Sequence, residues 1–534
     1  MATVVFSAWG LADGASAMEP VPASPEDRSA VQTEHEHIDP NAEGLDRFIV
    51  TFAGDSRSSE DRDRAVDVAE KAVGTSADVV RETADGSVVV ATEQKLDPKE
   101  SAEFMEKLAQ SDTVDYVEPD SLVTIADERT GEAPKDDDDK PADPNDTMYS
   151  SLWGLHGQWG AHVPDAWKTT QGKDTTVAVL DTGITKHPDL EANLIPGYDF
   201  ISREEAARDG NGRDADPQDE GDWFGPRECG DNDRKAKSSW HGTHVAGTIA
   251  AVGNNEQGII GVSPEAKIQP VRVLGKCGGS TSDIADAIVW ASGGDVPGVP
   301  KNQTPAQVIN MSLGGRHQCG RAAQNAIDGA VARGTTVVVS AGNSKADAAE
   351  FFPASCKNVV TVAASDSHGK IAPYSNFGNV VDVAAPGGDT RERGGGILST
   401  LNTGATTPEE PTYVSYQGTS MAAPHVSGAA ALLKSVDPGL TPARIEEVLK
   451  EKAVPLDQSC EGVCGAGLIN AAASVAAVAP VEAAPDPAPA PTPKPTPTPD
   501  PVESKPSTVK PTWRQWWKNN WKAFQGNRHW HRRG

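Results

Sequence analysis

Val177-Ala178-Val179-Leu180-Asp181-Thr182-Gly183-Ile184 is an apolar run that ends in a carboxylate and a glycine turn. Apolar at consecutive positions rather than alternate ones, it reads as a strand covered on both faces, the pattern of a parallel sheet. Asp181 then stands at that strand's C-terminal edge. Outward from it, β-type runs recur at Ile268 to Val273, Val308 to Met311, Thr336 to Ser340, Val359 to Val362 and Val380 to Val383. Helical patterns fall between and after them, near Thr281 to Ser292, Ala322 to Arg333 and Pro442 to Lys450. This alternation predicts an α/β domain over residues 147–478, a doubly wound and mostly parallel sheet with its site at the strands' C-terminal ends.

Two further stretches carry chemistry. Gly418-Thr419-Ser420-Met421-Ala422-Ala423-Pro424-His425-Val426-Ser427-Gly428 puts a serine at the start of an apolar, alanine-rich helix running through Leu432 and Leu433. Unpaired N–H groups and the positive end of the helix dipole favour negative charge there, so an oxyanion forming beside Ser420 would be stabilised. Taken alone, the same Gly-Thr-Ser is equally a helix cap. Trp240-His241-Gly242-Thr243-His244-Val245-Ala246-Gly247-Thr248-Ile249-Ala250 places His241 ahead of a small-residue helix that can pack closely on a sheet. A serine hydroxyl needs a base to take its proton, and the base needs a carboxylate to fix its tautomer. The chain offers all three.

The 534 residues carry a net charge of -29, and the composition changes along the chain, which points to a multi-part precursor. A body this acidic excludes nucleic-acid binding, and its self-repulsion fits a soluble monomer that attracts cations. Residues 1–17, moderately apolar from Thr3 to Ala12 and ending in Ala15-Ser16-Ala17, read as a signal peptide, although no positive charge precedes them. All six cysteines lie between Cys229 and Cys464. An even count in one region fits disulfides and an oxidising compartment and leaves the pairing open.

The three motif stretches resemble the signatures of the subtilisin-like serine proteases, in that family's chain order of Asp, His, Ser. An α/β-hydrolase would carry Gly-x-Ser-x-Gly with its histidine last, whereas here Ala422 stands two residues after Ser420. The resemblance implies Asp181 as orienting carboxylate, His241 as general base and acid, and Ser420 as nucleophile. It implies Asn343, in Ser340-Ala341-Gly342-Asn343, as a side-chain oxyanion donor; alone it would read as a turn asparagine. It further implies that Ser312, Leu313 and Gly314, within Asn310-Met311-Ser312-Leu313-Gly314-Gly315, pair with substrate as an added strand. Cation binding is implied at Asp189 and Asp382, although Gly253-Asn254-Asn255-Glu256-Gln257-Gly258 is one residue longer than the family's calcium loop. Residues 45–125 resemble the family's inhibitor prodomain, with Tyr116-Val117-Glu118-Pro119 as the most specific piece; read by themselves they are a small α+β domain with helices at Ser59 to Val73 and Pro98 to Gln110. The implied cysteine pairs are Cys229 with Cys277, Cys319 with Cys356, and Cys460 with Cys464.

Between Asp181 and His241, Asp209-Gly210-Asn211-Gly212-Arg213-Asp214-Ala215-Asp216-Pro217 sets oxygen donors on a glycine-bent loop, the ligand type of Ca2+, with a solvated acidic loop as the alternative. His244 and His425 read as structural histidines, because zinc needs a third ligand. The linker Ala126 to Thr147, where maturation cleavage is expected, carries Asp136-Asp137-Asp138-Asp139-Lys140, a solvated acidic string or a protease recognition sequence. Residues 479–512 form a proline-rich extended linker. In the tail 513–534, Trp513, Trp516, Trp517, Trp521 and Phe524 stand beside Arg514, Lys518 and Lys522. On a helix they make an aromatic face with cations, suited to an anionic cell envelope; a helix docked on the catalytic domain or a plain chain end are the alternatives. The expected function is a secreted serine endopeptidase acting on polypeptides, made as a zymogen with its own prodomain as inhibitor. A catalytically silent surface-binding protein and a transpeptidase on the same fold are the rivals.

Overall fold

The computed structural model describes residues 44–54, 58–125, 130, 144–230, 234–456 and 464–479. The expected signal peptide, the acidic string, Cys460, the proline-rich linker and the tryptophan tail lie outside these residues.

Segment 45–125 forms its own sheet from β1 (Leu45–Phe52), β2 (Ala77–Glu82), β3 (Val88–Leu96) and β4 (Val114–Pro119), antiparallel in the order β2-β3-β1-β4. Helix α1 (Ser59–Val73) starts under the Ser58 hydroxyl and stops at Gly74, whose φ of 74° only glycine adopts easily. Helix α2 (Pro98–Ala109) starts from an Asp97–Glu100 capping box with proline in its first turn. Phe48, Val50, Val90, Phe104, Met105 and Leu108 close a separate core. A two-residue strand, β5 (Leu122–Val123), leaves this unit toward the larger one.

The larger unit is built on β6 (Thr176–Asp181), β7 (Tyr198–Asp199), β8 (Lys267–Arg272), β10 (Val308–Met311), β11 (Thr336–Ser340), β12 (Val360–Ser365) and β13 (Val383–Pro386). All pair in parallel, in the order β13-β12-β11-β10-β6-β8-β7. Its helices are α3 (His241–Ala250), α4 (Thr281–Ala291), α5 (Arg321–Ala332), α6 (Thr419–Val436), α7 (Pro442–Lys452) and α8 (Ala471–Val478). Val177 and Val179 of β6 face one core with α3 and α6, whereas Ala178 and Leu180 face the other with α4 and α5. Both faces are therefore covered, which is why the strand sequences do not alternate. The chain runs outward from β6 to β8 and then crosses to β10, so the crevice of a doubly wound sheet opens between β6 and β10. Short strand β9 (Gly279–Ser280) lies before α4.

Two features differ from the sequence expectation. The last parallel strand begins at Val383 rather than Val380, because Asp382 bonds back to Thr361 with both its N–H and its carboxylate before regular pairing starts. An antiparallel hairpin, β14 (Ile397–Asn402) and β15 (Pro411–Tyr416), packs against α3. The cysteine pairs Cys229–Cys277 and Cys319–Cys356 are formed. Cys464 is disulfide-bonded as well, and its expected partner Cys460 lies outside the described residues.

Candidate active site

Asp181 ends β6 and His241 begins α3, and the two meet at the sheet's C-terminal edge with Asp181 Oδ1 2.7 Å from His241 Nδ1. Both side chains are fully buried. The Thr182 N–H donates to the same Asp181 oxygen at 2.7 Å, which fixes the carboxylate's rotation. With Nδ1–H committed to this carboxylate, Nε2 is left as the proton acceptor. Trp240, just before the histidine, is held at φ 52°, a left-handed conformation that is costly for a bulky side chain. Its indole donates to the Gly404 carbonyl at 2.7 Å and anchors that turn.

Ser420 lies in the first turn of α6, where helical N–H groups have no carbonyl four residues back. Pro424 inside the same helix has no N–H for the Ser420 carbonyl. The Ser312 hydroxyl, following β10, supplies the missing bond at 2.8 Å and is itself held by Asn310, which Ser427 of α6 also contacts. The Ser420 hydroxyl lies 3.3 Å from the Ser312 carbonyl. Strand β10 thus locks the nucleophile's turn to the sheet.

Asn343 follows β11. Its Oδ1 accepts from the Thr419 N–H and hydroxyl, both at 2.9 Å, so the amide's orientation is set by the residue preceding Ser420. Its Nδ2 is buried and has no hydrogen-bond partner among the described residues. A buried donor without a partner costs stability unless a ligand satisfies it. Gly342 allows this turn at φ 101°, and a Cβ there would meet the Asn376 amide at 2.4 Å.

Leu313 is buried, while Gly314 presents its backbone to a neighbouring chain segment, and the occupant is the chain's own β5 extension. Leu122 and Val123 pair antiparallel with Ser280 and Gly279 on one side, and Thr124 exchanges bonds of 2.9 and 3.1 Å with Gly314 on the other. Just upstream, Glu118 accepts from the Arg321 and Ala322 N–H groups at 2.7 and 2.9 Å, capping α5, whose own N-cap is Gly320. Asp120 accepts from the N–H and hydroxyl of Ser282 at the start of α4, both at 2.8 Å. Arg81 of β2 reaches Asp283 and Asp286 on α4 at 2.9 and 2.6 Å. Neither Glu118 nor Asp120 stands out from the sequence as a cap, because the helices they serve lie more than 150 residues away.

The carboxylates proposed as metal ligands are dispersed. Asp209 and Asp214 are engaged in their own loop, with Asp209 also 3.3 Å from Arg272 and Asp214 accepting from Asn211. Asp216 accepts the Gln218 N–H. Asp382 has Lys450 as its cation at 2.8 Å. Asp189 is buried, and its oxygens accept from Asn255 Nδ2, the Ile259 N–H and the Tyr413 hydroxyl at 2.6–3.1 Å. Burial pushes Asp189 above the usual carboxylate range, and the charge of Asp146 adds to that. Among the described residues no group of three or more His, Cys, Asp or Glu side chains is placed to hold a metal.

His244 is buried with Nε2 3.1 Å from the Ile397 and Val414 carbonyls, tying β14 to β15, and its ring stacks on Tyr416. Burial holds it neutral, down to about 3. His425 bonds to the Met421 carbonyl at 2.8 Å, and burial lowers it to about 4. Both are structural.

An Asp–His pair at one strand end, a serine in a helix first turn and an amide fixed on the residue before that serine are the parts of a serine hydrolase on a doubly wound sheet. The Subtilase family model matches residues 172–467, and the chain belongs to that family. It is 51% identical over 76% of its length to an extracellular protease of Xanthomonas campestris pv. campestris, spanning 66% of that relative. It is 41% identical to an extracellular basic protease of Dichelobacter nodosus, over 83% of this chain and 72% of that one. A solved protease of Pseudoalteromonas arctica superposes with TM-score 0.62 at 51% identity, covering 63% of this chain and all of the other. The chain is a serine endopeptidase of the subtilisin type.

Proposed function

We propose that the chain is a secreted endopeptidase made as a zymogen, in which segment 45–125 blocks the site until it is cut away within the linker 126–147. In catalysis the Ser420 oxygen attacks the peptide carbonyl while His241 Nε2 takes its proton, and Asn343 Nδ2 with the Ser420 N–H receives the oxyanion. His241 then passes the proton to the leaving amine, and water releases the acyl group by the same steps in reverse order. The observation that carries the zymogen reading is β5 and Thr124, lying as an added strand between Ser280 and Gly314 where a substrate would pair. Export is supported by the disulfides and by the extracellular relatives. The test is to titrate the separately made 45–125 segment, which has its own core, against matured enzyme. Stoichiometric inhibition is expected, and no inhibition would reject the reading.

We infer a structural cation, with Asp189 the residue that suits it best. Asp146 and Asp189 are both buried carboxylates raised by burial, and among the described residues no Lys or Arg lowers either of them. A divalent cation would relieve that repulsion. Chelation is expected to lower the melting temperature of inhibited enzyme, and an unchanged melt would remove the cation. For the tryptophan tail, the aromatic and basic spacing supports binding to an anionic envelope. Removing residues after Pro511 should abolish salt-sensitive sedimentation with anionic vesicles; retained binding would exclude the anchor.

A further inference from the structure

Behind the Asp181–His241 pair lie two more carboxylates from the loop between them, Asp219 buried and Asp222 half-buried, and the peptidase chemistry above uses neither. Asp222 accepts from the Ser239 N–H at 2.7 Å and from the Ser239 hydroxyl at 2.8 Å. The Ser239 hydroxyl oxygen in turn accepts from the His241 N–H at 3.3 Å, and the Tyr416 hydroxyl holds the Ser239 carbonyl at 2.8 Å. Asp219 makes the matching contacts on the other side. It accepts from the Thr182 hydroxyl at 2.6 Å and from the Gly221 N–H at 2.9 Å. The Thr182 oxygen also accepts the Gly242 N–H at 3.0 Å. The residue after Asp181 and the residue two before His241 are thus each pinned by a carboxylate of one loop.

We propose that Asp222 is a positioning residue for His241, clamping Ser239 ahead of α3 while its charge favours the imidazolium that forms during catalysis. Asp219 holds the Asp181 side of the same pair through Thr182.

The electrostatic surroundings give the sign. Charged or titratable groups beside His241 include Asp181 at the end of β6, Asp222 in the loop and His244 one turn along α3. Asp222 faces Asp219 and Arg208, and the Arg208 guanidinium lies 4.0 Å over the Trp223 ring and donates to the Gly221 carbonyl. Burial raises Asp222, and the charge of His241 pulls it back, so the Asp222 anion and the His241 cation stabilise each other. Asp219 is raised to about 7 by burial and by Asp222. A buried and a half-buried acid kept together, without a lysine or arginine in ion-pair contact among the described residues, are disfavoured for stability alone. Held beside a histidine that becomes cationic at every turnover, the Asp222 anion lowers the energy of that state.

The test separates charge from clamp. Asp222→Asn retains the shape and can still bond Ser239, whereas Asp222→Ala removes both. Rates are normalised by active-site titration, so that incomplete maturation does not count as lost activity. In Asp222→Asn the acid limb of the kcat/KM profile is expected to move to lower pH by roughly half a unit, because the imidazolium loses an anionic neighbour. In Asp222→Ala, kcat is expected to fall about tenfold with KM unchanged, the mark of a misplaced base rather than a damaged cleft. An unmoved acid limb in Asp222→Asn would overturn the electrostatic role, and that variant decides the matter if the alanine protein does not fold. Wild-type kcat in a folded Asp222→Ala protein would overturn the clamp.

Discussion

Helix α6 buries residues 419–434 without a break, mostly small and apolar, and packs against five neighbouring strands of the large sheet. The small antiparallel sheet meets the same domain differently, through Arg81 on Asp283 and Asp286, Glu118 and Asp120 on two helix starts, and main-chain pairing at β5. An apolar interior has no counterpart in water, so α6 is permanent. Ion pairs and hydrogen bonds are replaced by water at modest net cost, so a joint made largely of them, with Val123 as its buried apolar anchor, holds firmly yet can be parted. The catalytic unit is built to stay together, and on the zymogen reading proposed above the small unit is the part that is released.

That contrast can be broken at either region, and the largest effect is expected inside the permanent part. Asn343→Ala removes the orphaned donor and should lower kcat by roughly 10²–10³ with little change in KM. A loss confined to KM would mean that Asn343 only shapes the cleft. At the separable joint, Glu118→Gln keeps the shape but weakens two charge-assisted bonds to α5. Inhibition by the isolated small domain should weaken roughly tenfold, while turnover of matured enzyme, which no longer contains Glu118, stays the same. Equal inhibition by both forms would show that the Glu118 caps on α5 do not hold the joint.

The smallest effect concerns the buried histidines. His425 is held to about 4 by burial, below an unfolded value near 6.5. The stability linked to it is therefore complete above about pH 6.5 and is lost as pH falls toward 4. Melting inhibited enzyme between pH 7 and 4.5 should show a shallower decline in His425→Asn than in wild type, by up to about 1.4 kcal/mol per pH unit. Parallel slopes would show that His425 does not titrate on unfolding.

The sheet was legible because strands buried on both faces leave unbroken apolar runs, and Val177 to Leu180 or Thr336 to Ser340 need no partner to be recognised. The motif residues were legible because each sits beside its own glycine or helix start. Hairpin β14–β15 was not. Ser399 and Thr400 interrupt its pattern, and only the fold reveals that their hydroxyls are spent on the His244 and Thr243 carbonyls of α3. Glu118, Asp120, Asp146 and Asp222 were hidden for a related reason, since each works on a group reached only through tertiary structure. Local spacing carries the chemistry that sits within one turn of chain. It does not carry the second carboxylates or the caps lent by another domain.

The most direct test of the assignment is covalent. Matured enzyme treated with a fluorophosphonate should be modified at Ser420 alone, located by mass spectrometry, with labelling lost in His241→Ala. Precursor held uncut, with Thr124 still paired to Gly314, should label far more slowly. Modification of a different serine, or undiminished labelling of Ser420 without His241, would contradict the account of the site.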